Sequence, residues 1–242
     1  MRNIVWFSCG ASSAVALKIA VNDLENVEAV YCDTGGEHED NLRFLLDVQT
    51  WCKKNITIVK SQRFIDHLDC CEKLNYWANL HGAPCTVNLK KKVRENYQRP
   101  GDTHIFGYTI EERNRAAGFV IRNRGLLTKW ILIENKLDKA DCLSIIKRAG
   151  IEIPKMYKLG YDHNNCIGCV KGGMGYWNKI RIDFPYVFKR VAILERKMGK
   201  SILLDDKQPL YLDELEPTRG NYDTEPKIRC DIYCHSIIDR LI

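Results

Sequence analysis

No run of apolar residues in this 242-residue chain approaches the ~20 needed to span a bilayer, which argues against a transmembrane helix. The opening residues, Met1-Arg2-Asn3-Ile4-Val5-Trp6-Phe7-Ser8, lack the long apolar region and small-residue cleavage site of a secretory signal, so a cytoplasmic location is expected. Internal repeats and low-complexity tracts are absent. So is a basic tail, since the positive clusters are short: Lys90-Lys91-Lys92 and Arg122-Asn123-Arg124. The net charge of +6 is a mild bias that suits an anionic nucleotide and suits nucleic acid equally well. A chance surplus on a solvated surface gives the same number.

What the chain does have is an alternation of strand and helix signals. Apolar runs at 4–7, 27–31, 56–59 and 103–106 read as strands, and helical periodicity marks 13–20, 40–51 and 138–149. Asp138 is a candidate N-cap for the last of these and Gly150 closes it. Such alternation predicts an α/β fold, a parallel sheet flanked by helices, with ligands at the carboxyl ends of the strands. Residues 160–175, rich in Gly, Asn and Cys, read as loop. Residues 177–198 read as a helix interrupted near Pro185, and the tail from Ser201 as irregular. With 45% hydrophobic residues the chain can bury a core. The expected division is a nucleotide-binding domain over 1–150 and a C-terminal Cys-containing region over 151–242 packing on it.

Three polar turns fall at predicted strand ends. In the first, Ser8-Cys9-Gly10-Ala11-Ser12-Ser13, small residues let the backbone approach a ligand, and the following helix offers unpaired N–H groups with a partial positive charge. This arrangement holds phosphate, with the Ser8, Ser12 and Ser13 hydroxyls as added donors. An ordinary βα turn with a Ser cap would read the same way. The turn has neither the Gly-Lys-Ser/Thr ending of a P-loop nor the G-x-G-x-x-G of a dinucleotide site. The second turn, Asp33-Thr34-Gly35, lies about 25 residues further on, as a βαβ unit requires. The third opens at Gly107-Tyr108-Thr109 and continues into Glu111, Glu112, Arg113 and Arg115, the last two being cations for an anionic ligand or members of a surface helix with Glu/Arg pairs.

Eleven cysteines are unusual in a chain with no sign of secretion, and point to metal or redox chemistry rather than a disulfide framework. Cys85 precedes a predicted helix whose lysines, Lys90 among them, would favour a thiolate. Cys166-Ile167-Gly168-Cys169 is a C-x-x-C in a Gly-rich loop, readable as a zinc half-site, an iron–sulfur half-site or a redox pair. Its place outside a strand-to-helix turn disfavours the redox pair. A four-ligand site would draw its partners from Cys85, Cys230 and Cys234. Cys32, Cys52 and Cys142 sit in apolar surroundings and read as buried thiols. The adjacent Cys70-Cys71 pair is ambiguous.

Taken together, Ser8 to Ser13, Asp33-Thr34-Gly35 and the C-x-x-C resemble the phosphoadenosine-phosphosulfate (PAPS) reductase family, whose phosphate turn is the PP-loop Ser-Gly-Gly-x-Asp-Ser. Two positions depart from it: Cys9 stands for the first Gly and Ser12 for the Asp. The resemblance implies a Rossmann-like fold of the adenine nucleotide α-hydrolase (HUP) kind. It also implies an adenine nucleotide (PAPS, its unphosphorylated analogue APS, or ATP) held by Ser8, Cys9, Gly10, Ser12, Ser13, Asp33, Thr34, Lys90, Gly107, Arg113 and Arg115. The segment 166–181 is similar to PAPS reductase-like proteins frequent in bacteria and their phages.

Members with a [4Fe-4S] cluster use a Cys-Cys pair before a Lys-bearing helix and a later C-x-x-C. Here Pro84 stands beside Cys85, so the resemblance implies Cys85, Cys166, Cys169 and a tail cysteine, Cys234, as metal ligands, with zinc the alternative metal. The family's C-terminal nucleophile lies in a Glu-Cys-Gly-Leu-His motif that is absent. Cys230, beside Arg229, takes that role in the expected assignment.

Three functions follow. The first is reduction of a sulfonucleotide to sulfite with electrons from a thioredoxin-like dithiol carrier. The second is cluster-dependent thiolation of nucleic acid, which the missing PP-loop Asp disfavours. The third is a non-catalytic nucleotide-binding module with a structural metal. The reductase ranks first.

Overall fold

A computed structural model of the protein describes residues 1–78, 82–228 and 230. Contacts group the chain into two compact units whose segments interleave. The first holds Met1–Asp33, His38–Lys60 and Arg94–Asn164. The second holds Thr34–Glu37, Ser61–Val93 and the described residues from Asn165 onward. The contacts therefore do not part at residue 150.

The first unit is a five-stranded sheet in the order β3-β2-β1-β4-β5, built from β1 (Asn3–Phe7), β2 (Val27–Asp33), β3 (Ile56–Lys60), β4 (Thr103–Phe106) and β5 (Leu127–Lys129). Every pairing is parallel, Val5 standing opposite Ala29 on one side and Ile105 on the other. Side chains alternate across the sheet. Val5, Phe7, Ala29, Tyr31 and Ile105 face one core, shared with α1 (Ala11–Asp23), α2 (Asp40–Cys52), α6 (Ile131–Glu134) and α7 (Lys139–Arg148). The other face presents Trp6, His104 and Phe106 as an aromatic row, covered in part by Tyr97 and by Phe119 of α5 (Arg113–Arg122). The order reverses between β1 and β4, the switch point where open α/β sheets bind ligands.

The α7 N-terminus forms as its sequence dictates: Asp138 and Asp141 make a reciprocal capping box, and Gly150 follows the helix at φ +74°. β5 is a strand that periodicity does not announce.

The second unit carries α3 (His67–Leu74), a π-helical turn at Thr86–Lys91, α9 (Met174–Asp183) and α10 (Pro185–Met198). Pro185 opens α10, where a missing N–H costs nothing, so the break expected near it is a helix start. The tail is more regular than expected. Its β6 (Leu203–Asp205) and β7 (Gln208–Leu210) form a hairpin across Asp206 and Lys207, both at positive φ as a primed turn requires. No helix among the described residues is long and apolar enough to cross a membrane.

Candidate functional site

In the first unit, the turn after β1 is braced from within. The Ser13 hydroxyl accepts the Ser8 N–H (3.1 Å) and donates to the Gly10 carbonyl (2.9 Å), so it shapes the loop instead of facing outward. Cys9 is left-handed (φ +54°), the conformation that favours Gly, which accounts for Gly at this position in the PP-loop pattern. Its carbonyl accepts the Asn164 side-chain amide at 2.7 Å, and the same amide bonds Asn41 Oδ1 at 2.6 Å. Cys9 Sγ lies 3.8 Å from the Asn41 carbonyl. Thus two distant segments of the unit, at Asn41 and Asn164, hold the turn at Cys9. Ser12 bonds the buried Cys142 thiol, whose pKa burial raises to about 11.

Tyr157 is the neighbour that sequence reasoning missed. Its hydroxyl receives the N–H of Ala11, the first residue of α1, and that of Asn164, while burial raises its pKa to about 12. A Cβ on Gly10 would come within 3.2 Å of this oxygen. The Lys139 ammonium lies over its ring at 5.5 Å. Gly107, at the end of β4, packs on the same helix start: a Cβ there would sit 2.7 Å from Ser13 N and Cα. Only glycine permits that approach. Beyond it, Thr109 and Glu112 form a capping box, Arg115 pairs with Glu112 and covers the Tyr108 ring at 4.5 Å, and Arg113 is exposed. Asp33 is the last residue of β2.

The second unit gathers the sulfur. Thr34, expected among the nucleotide contacts, places its hydroxyl 3.1 Å from Cys166 Sγ and 3.3 Å from Glu37. The buried Lys90 ammonium lies 3.6 Å from the same Glu37 carboxylate. Ile167 N–H bonds the Gly36 carbonyl at 2.8 Å, and His67 Nε2 lies 3.2 Å from the Gly168 carbonyl, so the C-x-x-C is held from both flanks. Tyr176 fixes it from beneath: its hydroxyl accepts the Cys169 N–H at 2.8 Å.

The thiols in this unit feel one another. Cys85 is raised well above the usual thiol range by its hydrogen bond with Cys71, then by burial and by Cys230. Burial lifts Cys169 to about 12, with Cys230 and Cys85 adding to it. Cys166 is raised by burial, then by Glu37, with Lys90 opposing and Cys230 contributing further. Cys71, unassigned from sequence, therefore stands beside Cys85. Among the described residues no three His, Cys, Asp or Glu side chains form a ready grip on one metal ion. Cys234 lies outside the described residues.

Residues 2–172 match the sequence model of the phosphoadenosine phosphosulfate reductase domain. Two archaeal relatives come from Methanocaldococcus jannaschii. Uncharacterized protein MJ0066 is 26% identical over 206 residues, covering 77% of this chain and 40% of its own length. Uncharacterized protein MJ0973 is 23% identical over 205 residues, covering 78% and 47%. The chain spans less than half the length of these relatives. Among solved structures, the phosphate complex of phosphoadenylyl-sulfate (PAPS) reductase from Candida auris matches with a TM-score of 0.50 at 12% identity, over 69% of this chain and 82% of that one. At that identity the likeness shows the fold.

Proposed function

The chain belongs to the phosphoadenosine phosphosulfate reductase family, and from that premise we propose that it binds an adenine sulfonucleotide and reduces it to sulfite by cysteine chemistry. The observation that carries the reading is the gathering of Cys85, Cys166, Cys169 and Cys230 in one unit of a chain whose other unit has two polar turns, after β1 and after β4, at the sheet's switch point. The first unit supplies the nucleotide site: N–H groups at the start of α1, the Ser8 and Ser12 hydroxyls, Gly107, and Arg113 and Arg115 for the anionic end. A serine at position 12 removes the PP-loop carboxylate, which bears on ATP cleavage more than on sulfonucleotide binding, since the latter needs no pyrophosphate cleavage.

In the proposed reaction a tail thiolate, from Cys230 or Cys234, attacks the sulfonate sulfur. The S–O bond to the phosphate breaks, the nucleotide leaves with that electron pair, and the sulfur remains on the enzyme as a thiosulfonate. A thiol of a thioredoxin-like dithiol carrier then attacks the cysteine sulfur and releases sulfite. The carrier's second thiol resolves the mixed disulfide, so the carrier loses two electrons and the enzyme cysteine is restored. Such thiol chemistry suits the reducing cytoplasm.

The donor chemistry, thiols with lysines nearby, is the kind that serves a thiolate-ligated metal group. Cys166 and Cys169 are buried and Cys85 and Cys230 half-buried, and Lys90 and Lys171 accompany them, so a bound cation would favour their thiolate forms. Cys85, Cys166, Cys169 and a tail cysteine would hold a [4Fe-4S] cluster, or zinc in its place. Calorimetric titration with PAPS, APS and ATP tests the reading: binding of PAPS or APS is expected, and tight binding of ATP alone would overturn it in favour of ATP-dependent thiolation.

A further inference from the structure

Every serine hydroxyl of the phosphate turn is engaged inside the first unit. Ser13 donates to the Gly10 carbonyl (2.9 Å), Ser8 donates to Ser13 Oγ (3.2 Å), and Ser12 bonds the Cys142 thiol. They reach an anion only by giving up those bonds. Tyr157 is placed the other way round. Its oxygen accepts the N–H groups of Ala11 and Asn164, which fills its capacity as an acceptor. Its proton has no acceptor among the described residues. Two N–H groups donating to the oxygen also polarise the O–H bond and strengthen it as a donor.

Gly10 fixes where this hydroxyl lies. A Cβ on Gly10 would sit 3.2 Å from Tyr157 Oη and 3.8 Å from Ser8 Oγ, with no other atom beyond its chain neighbours within 4 Å. The side of Gly10 without a side chain is therefore flanked by two hydroxyls. Ala14 N–H is the first of α1 to bond back to the turn, at the Gly10 carbonyl (3.1 Å), so the Ser12 and Ser13 N–H groups are left to a ligand at the same helix start. Gly10, Ser12 and Tyr157 are all half-buried, within reach of a ligand yet partly shielded from water. The Lys139 ammonium, 5.5 Å from the centre of the Tyr157 ring, adds positive charge nearby.

We propose that Tyr157 is an anion-binding residue of the nucleotide site, its O–H donating to a phosphate or sulfonate oxygen held beside the Ser12 and Ser13 N–H groups. The proposal rests on the nucleotide-binding reading given above and supplies it with a donor from outside the turn. A Tyr157 that only braced the turn would act through its oxygen as an acceptor. One that binds the anion acts through its proton, and the two roles respond in opposite directions when the phenol is made more acidic.

The test uses the full chain and calorimetric titration with APS and PAPS. Tyr157→Phe keeps the ring and removes the hydroxyl, and binding of the preferred sulfonucleotide is expected to weaken at least about tenfold, as loss of a hydrogen bond to a charged group implies. Because this variant also leaves two N–H groups unpaired and could fail to fold, 3-fluorotyrosine and 3,5-difluorotyrosine at position 157 separate donor from brace. Fluorine makes a phenol a better donor and a poorer acceptor. Burial raises the wild-type hydroxyl to about 12, so the fluorinated phenols keep their proton at neutral pH. Binding that tightens along this series, by about two- to fivefold, upholds the donor role. Binding that weakens or stays level along it, or a folded Tyr157→Phe that binds like wild type, would overturn the proposal and leave the nucleotide reading intact. Should ATP alone bind, the reductase reading falls, and the same comparison made with ATP decides the role of Tyr157. A wild type that binds none of the three overturns both.

Discussion

Glu195 is fully buried in α10, where its carboxyl oxygens accept the N–H groups of Ile202 (2.6 Å) and Leu212 (2.7 Å). Burial raises its pKa from the ordinary 4.5 to about 7, the two N–H bonds opposing. The folded chain therefore keeps a proton that the unfolded chain releases, and stability falls as pH rises from about 4.5 to 7. His104 works against it. Buried beside Arg94, with Nδ1 accepting the Trp6 indole N–H at 3.0 Å, it has a pKa lowered from 6.5 to about 4. Its contribution is present above the unfolded pKa of 6.5 and is lost as pH falls toward about 4. Each spans roughly 3 kcal/mol, and over the shared window they offset. Glu195→Gln should unmask His104: urea denaturation of the variant is expected to show stability rising between pH 4.5 and 6.5, against a flatter wild-type profile. Parallel profiles would refute the account.

Among the elements, the contact between β4 and α1 admits the sharpest test. A methyl group at Gly107 would meet Ser13 backbone at 2.7 Å, and backbone yields far less than a flexible side chain. Gly107→Ala should cost about 1–3 kcal/mol in denaturant melts and weaken nucleotide binding, since the strand end must move off the phosphate turn. A stable variant with unchanged binding would show that the approach is dispensable. Much of this architecture was legible beforehand. β1 to β4 are apolar runs bounded by polar turns, and α7 declares both ends through Asp138 and Gly150. β5 was not legible, because Leu127-Thr128-Lys129 is too short to show a period. Nor was the β6–β7 turn, which places Asp206 and Lys207 where Asn-Gly is the usual signal. The candidate site divides similarly. The C-x-x-C spacing singles out Cys166 and Cys169 as candidates, and the lysines that follow Cys85 single out that residue. Nothing local could show that Thr34 faces Cys166, that Cys71 bonds Cys85, or that Tyr157 stands at the start of α1, since each depends on segments far apart in the chain.

At the scale of the whole molecule, interleaving decides what can fold alone. The expected boundary lies at 150, whereas the first unit's contacts continue to Asn164, and residues past 150 contribute to its interior. Ile151 belongs to the main core, Tyr157 takes the Ala11 N–H, and Asn164 holds the Cys9 carbonyl. The second unit begins well before residue 150, with Thr34–Glu37 and Ser61–Val93, and needs Asn165 onward to complete it. A cut at 150 leaves both units short. Buried polar groups that lose a partner cost about 1–3 kcal/mol each, and lost core contacts add to that, against a total stability of only about 5–15 kcal/mol. The fragment 1–150 should therefore lack a cooperative thermal transition by circular dichroism, whereas the full chain shows one. A fragment that melts cooperatively with native-like helix content would restore the boundary at 150, and would mean that Tyr157 and Asn164 brace a phosphate turn already formed without them.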